Sequence, residues 1–305
     1  MSHWTLLDGG MGRELKRIGA PFRQPEWSAL ALLEAPEYVA KVHRAFIAAG
    51  ARVITTNSYA VVPFHIGEER FASSGRALAG LSGELARGAA DEAGTSVRVA
   101  GSLPPALGSY RPDLFDADRS QAIHRELIAG LAPHVDFWLA ETQSSLAEAR
   151  AVKAALDGES KPLWLSFTLQ DADDVKAEPL LRSGESVEQA VLLALELGAS
   201  ALLFNCSQPE SMGVAILRAR QVLTDQVREL PLGVYANAFP PVREDAQAND
   251  TLLDIRADLG PAAYLQWAQE WIDEGAAIIG GCCGIGPEHI AQLNEHLLAS
   301  EEGRP

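Results

Sequence analysis

Eight short apolar runs rich in β-forming residues recur along the chain. They are Trp4–Leu7, Ala51–Thr55, Val97–Ala100, Asp136–Ala140, Pro162–Phe167, Ala201–Phe204, Leu232–Tyr235 and Ala276–Ile279. Runs this short, between longer stretches of a different period, read as buried strands. The intervening stretches carry helical spacing. Tyr38, Val39, Val42 and Phe46 share one side of a predicted helix, with His43 and Arg44 on its polar side. Val187, Val191, Leu192 and Leu195 do the same before the sixth run, as do Ile290, Leu293 and Leu297 near the end. Gly50-Ala51, Gly198-Ala199 and Gly275-Ala276 fall where a helix should stop and a strand should begin.

Eight strands alternating with helices in a chain of 305 residues predict an α/β protein, a (β/α)8 TIM barrel spanning 1–305 as a single domain. An open doubly wound sheet is the alternative, but no Gly-x-Gly-x-x-Gly follows the first strand. Barrels of this kind build their sites at the C-terminal ends of the strands. Asp8 ends the first run, Asn57 and Tyr59 follow the second, and Glu141 ends the fourth. Cys206 ends the sixth, and Cys282 and Cys283 end the eighth. The barrel therefore gathers polar and sulfur side chains around one mouth.

Composition narrows the function classes. Hydrophobic residues make up 47% of the chain, enough for a large core. No apolar run is long enough to span a bilayer, and no charged-then-apolar leader stands at Met1. A formal net charge of −16 argues against nucleic acid, which demands a basic patch. It weakly favours a cationic small molecule. Three cysteines expected to be unpaired suit a reducing compartment. These features predict a cytoplasmic protein, monomeric or homo-oligomeric, with small-molecule substrates and no membrane partner.

All three cysteines lie in two pieces, Asn205-Cys206-Ser207 and Gly280-Gly281-Cys282-Cys283-Gly284. A lone buried cysteine is commonly an inert hydrophobe. A disulfide can join one pair, but adjacent cysteines bridge poorly, with Cα atoms about 3.8 Å apart against a usual range of roughly 4.4–6.8 Å. Neighbours on a strand also point to opposite faces. Where the strand ends in a turn both can face one ion, and Gly280, Gly281, Gly284 and Gly286 supply that freedom. Three thiolates with a fourth position left over describe a catalytic zinc site. His289, after Gly286-Pro287-Glu288, reads as a solvent-facing residue at a helix start rather than a fourth ligand.

Taken together, Asp8-Gly9-Gly10-Met11-Gly12, Thr55-Thr56-Asn57-Ser58-Tyr59, Glu141-Thr142, Asn205-Cys206 and Gly280-Gly281-Cys282-Cys283-Gly284 resemble the homocysteine S-methyltransferase family over nearly the whole chain. The resemblance implies that Cys206, Cys282 and Cys283 hold zinc. It also implies that Asp8, Gly9 and Glu141 hold the amino acid part of homocysteine, while Asn57, Tyr59 and Asn205 line the site. The three cysteines and Glu141 are thus the candidate catalytic residues. Thr142 stands where the betaine-dependent branch carries tyrosine, which favours S-methylmethionine or S-adenosylmethionine over a betaine-type donor.

The implied chemistry needs a thiolate, since only that form attacks carbon, and a coordinating metal removes the thiol proton outright. The thiolate would displace methyl from a sulfonium or quaternary ammonium centre, giving methionine. Aromatic faces would hold such a cation; Trp27 and Tyr59 are the candidates, with Phe64 and Phe239 behind them. The charged loops at 171–174 and 240–256 could act as lids or be solvated surface. Two rival readings are a zinc hydrolase with water in the open position and a non-catalytic zinc-binding protein.

Overall fold

The eight runs pair into one parallel sheet that curls until its edges meet. The computed structural model describes residues 4–171, 178–240 and 255–302. Its strands are β1 (Thr5–Leu6), β2 (Val53–Thr55), β3 (Arg98–Leu103), β4 (Phe137–Gln143), β5 (Leu163–Phe167), β6 (Ala201–Asn205), β7 (Leu232–Ala236) and β8 (Ile278–Gly281). Sheet order is β1-β8-β7-β6-β5-β4-β3-β2. The remaining gap is bridged at Leu7 and Val53, where Arg52 N–H donates to Leu6 C=O at 2.8 Å and Asp8 N–H to Val53 C=O at 3.0 Å. With helices between the strands, this is the expected (β/α)8 barrel.

Two apolar layers hold it together. Leu7, Val53, Phe137, Leu139, Trp164, Leu203 and Ile278 point inward and fill the barrel. Alternate residues such as Ile54, Val99, Trp138, Phe204 and Val234 point outward into a larger core beneath the helices. The period of two along each strand divides them in this way. At the N-terminal end the Arg98 guanidinium lies 4.3 Å from the centre of the Phe137 ring and caps the inner layer.

β3 and β4 each run three residues past the predicted ends, at Ala100 and Ala140. Gly101-Ser102-Leu103 and Glu141-Thr142-Gln143 lack a strand signature. Ser102 and Leu103 are held in register by β4, and Gln143 by Phe167 of β5 beyond a register shift. That shift, between Ala140 and Gln143, accompanies a left-handed Thr142 at φ 57°. A bulge of this sort re-aims side chains at a barrel rim, and it is what leaves Glu141 and Thr142 both facing the mouth.

Three helical readings need correction. The Pro36–Ala48 helix forms as expected, but His43 is fully buried rather than on a polar face, and burial pushes its pKa down to about 3. Helices Met11–Arg17, Ala29–Glu34 and Glu68–Glu92 all pack on Pro36–Ala48, so more than one face is covered. In Val187–Glu196, Leu192 is exposed rather than part of the apolar side. His289 is buried, not solvent-facing. Its Nδ1 accepts from Gly286 N–H at 3.2 Å and its Nε2 lies 3.0 Å from the Leu259 carbonyl, fastening the start of helix Pro287–Glu302.

The charged loops expected near the mouth fall largely outside the described residues, at 172–177 and 241–254. Among the described residues no helix is long and apolar enough to cross a membrane.

Candidate active site

At the C-terminal ends of the strands lies a cavity of about 240 Å³. Asp8, Gly9, Trp27, Asn57, Tyr59, Glu141, Cys206, Cys282 and Cys283 all line it. Of the residues picked out in the sequence, only Asn205 and Phe64 are not on its wall.

The sulfur cluster is built by two chain reversals. Cys206 follows β6 in a left-handed conformation, φ 52°, uncommon for a residue with a side chain. Its carbonyl accepts from Thr168 Oγ1 at 3.3 Å and from the Tyr110 hydroxyl at 3.5 Å. After β8 the chain turns, with Gly284 at φ 88°, so vicinal Cys282 and Cys283 reach the same space. All three sulfurs lie within 4.8 Å of one another. Gly9 and Gly10 let the loop after β1 press on this turn. A Cβ on Gly9 would collide with the Ile285 carbonyl, and one on Gly10 with that of Cys282.

The expectation of three unpaired thiols differs from the structure in one respect. Cys206 and Cys282 form a disulfide across a Cα span of 5.8 Å, and Cys283 is free. Burial pushes the Cys283 thiol up to about 11, Arg13 opposing the shift and Glu141 adding to it. With the bridge reduced, the cluster is an all-sulfur set of three, which suits a borderline-soft cation such as zinc and leaves a fourth position open.

Facing the sulfurs are two buried carboxyl groups. Asp8 accepts from Thr55 N–H at 2.8 Å and from its hydroxyl at 3.3 Å. Glu141 accepts from the Ser102 hydroxyl and, at 3.4 Å, from Tyr235. Burial is the main cause that raises Asp8 to about 8, with Glu141 adding to it. Burial likewise raises Glu141 to about 7. A cation bound beside these carboxyl groups would favour their ionised forms.

The other side chains divide into wall and support. Trp27 sits half-buried at φ 49°, on a turn tied down by Asn57 Nδ2, which donates to the Ser28 carbonyl at 3.0 Å. The Tyr59 hydroxyl pairs with Ser109 at 2.6 Å, and burial raises its pKa. Asn205 is fully buried behind the wall, where Ser166 and Thr142 use both ends of its amide. Phe64 stands behind the wall residue His65, ring edge to face at 5.0 Å.

Several wall residues were not picked out from sequence. Tyr110, at φ 64° after β3, reaches Cys206 and carries Arg182 over its ring at 4.8 Å. Arg182 in turn forms a buried pair with Asp171 at 2.8 Å. Tyr235 and Arg13 also face the cavity. Gly108-Ser109-Tyr110 and the arginine closing Gly-Met-Gly-Arg were the available signals, each at a strand's C-terminal end.

Comparison with known proteins matches this geometry to a family. A family profile described as Homocysteine S-methyltransferase matches residues 5–297. The Escherichia coli (strain K12) homocysteine S-methyltransferase is 32% identical, covering 94% of this chain and 93% of its own. A selenocysteine methyltransferase of Astragalus bisulcatus is 28% identical, covering 97% and 93%. Among solved structures, the metallated form of the Escherichia coli homocysteine methyltransferase MmuM superposes with a TM-score of 0.76, at 30% identity and 96% coverage of both chains.

Proposed function

Since the chain belongs to the homocysteine S-methyltransferase family, we propose that it moves a methyl group from a small sulfonium donor to the thiol of homocysteine, with zinc as its metal, giving methionine. S-Methylmethionine or S-adenosylmethionine is the first choice of donor. The observation that carries the reading is the clustering of three cysteine sulfurs within 4.8 Å of one another, in the same cavity as Asp8 and Glu141.

Cys206, Cys282 and Cys283 would hold the zinc, which when bound supplies a charge that keeps the substrate thiol deprotonated near neutral pH. The protein's own residues do the rest. Asp8 and Glu141 accept the α-ammonium group of homocysteine and shed their protons as they do so. Gly9 leaves room for the backbone to approach the amino acid. The Trp27 and Tyr59 rings offer faces to the methylated cation, whose charge disappears as its bond to methyl breaks. No general base is needed at the attacking sulfur, so the two carboxylates act as binding groups. The buried wall excludes water, which would otherwise compete as an acceptor.

The relative described as metallated supports a metal at this cluster, and family membership weighs against the hydrolase and the non-catalytic reading. The experiment is direct. The reduced, zinc-loaded protein is supplied with homocysteine and, separately, S-methylmethionine, S-adenosylmethionine and glycine betaine, and methionine is measured. Formation with a sulfonium donor supports the proposal; formation with betaine alone moves the donor to the ammonium class; none with any donor contradicts it.

A further inference from the structure

Of the three cysteines only Cys206 has a left-handed backbone, at φ 52°. That conformation costs a residue with a side chain free energy and persists only where its surroundings hold it. Hydroxyl groups do the holding. The Cys206 carbonyl accepts from Thr168 Oγ1 at 3.3 Å and, at 3.5 Å, from the Tyr110 hydroxyl. Ser207 Oγ lies 3.1 Å from Thr168 Oγ1 and accepts the Leu169 N–H at 2.8 Å. Thr168 and Ser207 are fully buried, and neither lines the cavity. The Thr168 backbone is itself fixed on both sides. Its N–H donates to the Gln143 carbonyl at 3.0 Å, and its carbonyl accepts the Arg182 N–H at 3.2 Å. The hydroxyl therefore projects from a rigid extension of β5 onto the residue after β6.

Rotation about the N–Cα bond carries Cβ, and with it the sulfur. A Cys206 relaxed to negative φ would not present its sulfur where the structure puts it, within 4.8 Å of those of Cys282 and Cys283. The holding contacts belong to the Cys206 carbonyl and the Ser207 side chain, so reducing the bridge to Cys282 removes none of them. With its one proton given to the Cys206 carbonyl, the Thr168 hydroxyl can still accept from Ser207. We propose that Thr168 is a positioning residue for the metal: its hydroxyl, steadied by Ser207, holds Cys206 left-handed and aims the sulfur at the other two before an ion arrives. This rests on the zinc site of the proposed function. Ordering the ligand in advance removes that cost from metal binding, and the loss of such a supporting contact weakens metal affinity roughly 10- to 100-fold.

The test measures the zinc Kd of the reduced proteins by competition with a chromophoric chelator, and their metal-free stability by urea unfolding. Thr168→Val keeps the shape of the side chain and removes the hydroxyl; Thr168→Ser keeps the hydroxyl. Ser82→Ala is the control, because it deletes a buried hydroxyl that donates to the Ala79 carbonyl at 2.8 Å in helix Glu68–Glu92, off the cavity wall. Thr168→Val should raise the zinc Kd roughly 10- to 100-fold, and Thr168→Ser should bind zinc about as tightly as wild type. Ser207→Ala should fall between them. Ser82→Ala should lose stability and keep its zinc affinity. Zinc bound as tightly by Thr168→Val as by wild type overturns the inference while leaving the zinc site standing. Equal weakening in Thr168→Ser or in Ser82→Ala also overturns it, since the hydroxyl on Cys206 would then not be the cause. Should Thr168→Val fail to fold, Ser207→Ala decides by the same comparison with wild type and Ser82→Ala. If reduced wild type binds no zinc, the zinc reading falls and takes this inference with it.

Discussion

Asn205 grips Thr142 at both ends: its Oδ1 accepts the Thr142 N–H at 2.9 Å, and its Nδ2 donates to the Thr142 hydroxyl at 2.8 Å. The grip joins the bulge of β4 to the end of β6. It therefore fixes Glu141, one residue before Thr142, relative to Cys206, one residue after Asn205. Replacing Asn205 with alanine strands buried groups on Thr142 and Ser166 and should cost about 2–4 kcal/mol, by the usual penalty for unsatisfied buried polar groups. Chemical denaturation measures that loss. Asparagine to aspartate, which keeps only the acceptor, should lose less than alanine if the strut is what matters.

Metal content separates ligands from neighbours. Cys206→Ala, Cys282→Ala and Cys283→Ala should each lose most of the zinc and at least 100-fold in turnover. Their metal-free melting temperatures should stay within about 5 °C of metal-free wild type, because a barrel mouth is not the core. Elemental analysis after treatment with reductant is the measurement. Full zinc in the triple alanine variant would put the metal elsewhere.

Asp8 and Glu141 should impose a pH dependence on the metal-free, substrate-free protein. An acid whose folded pKa lies above its unfolded value stabilises the fold below the unfolded value and loses that contribution as pH rises through the folded one. Burial raises Asp8 from 3.8 to about 8 and Glu141 from 4.5 to about 7, so their loss extends up to about pH 8. Between pH 6.5 and 9 wild type should lose a few kcal/mol more than the Asp8→Asn, Glu141→Gln double variant, at roughly 1.4 kcal/mol per pKa unit. Glu148, also raised to about 7 by burial, remains in both proteins and cancels. Equal slopes in thermal unfolding across that range would show that the pair is not held as described.

Trp27 tests the aromatic wall. Trp27→Leu should raise the donor KM by roughly 3- to 30-fold, the range of a partly desolvated cation–π contact, with zinc content and homocysteine KM unchanged. Steady-state kinetics decide it; a change in zinc content instead would make Trp27 a support for the cysteine turn.

The barrel and the sulfur cluster were legible in the sequence because each depends on local signals. Short β-rich runs mark strands, glycines mark stops, and Gly280 through Gly284 announce a turn that can aim two cysteines together. The bulge at Thr142 was not legible, since the register shift is set by pairing with β5, which no local pattern encodes. His43 and His289 were misread for a related reason: helical periodicity identifies one packed face, and it cannot show that other helices, or Leu259 and Tyr264, cover the other side. Asn205 was expected on the wall because the family resemblance implied it. Alternation along β6 turns its side chain away, toward β4 and β5.

The most direct measurement of the central claim is methionine formation from homocysteine and S-methylmethionine by the reduced protein, with and without zinc. Turnover that appears with about one zinc per chain, vanishes on chelation, and is absent in Cys206→Ala at equal protein concentration is the predicted result. Undiminished turnover in the fully chelated protein, or a zinc-loaded protein that forms no methionine with any onium donor, would contradict it.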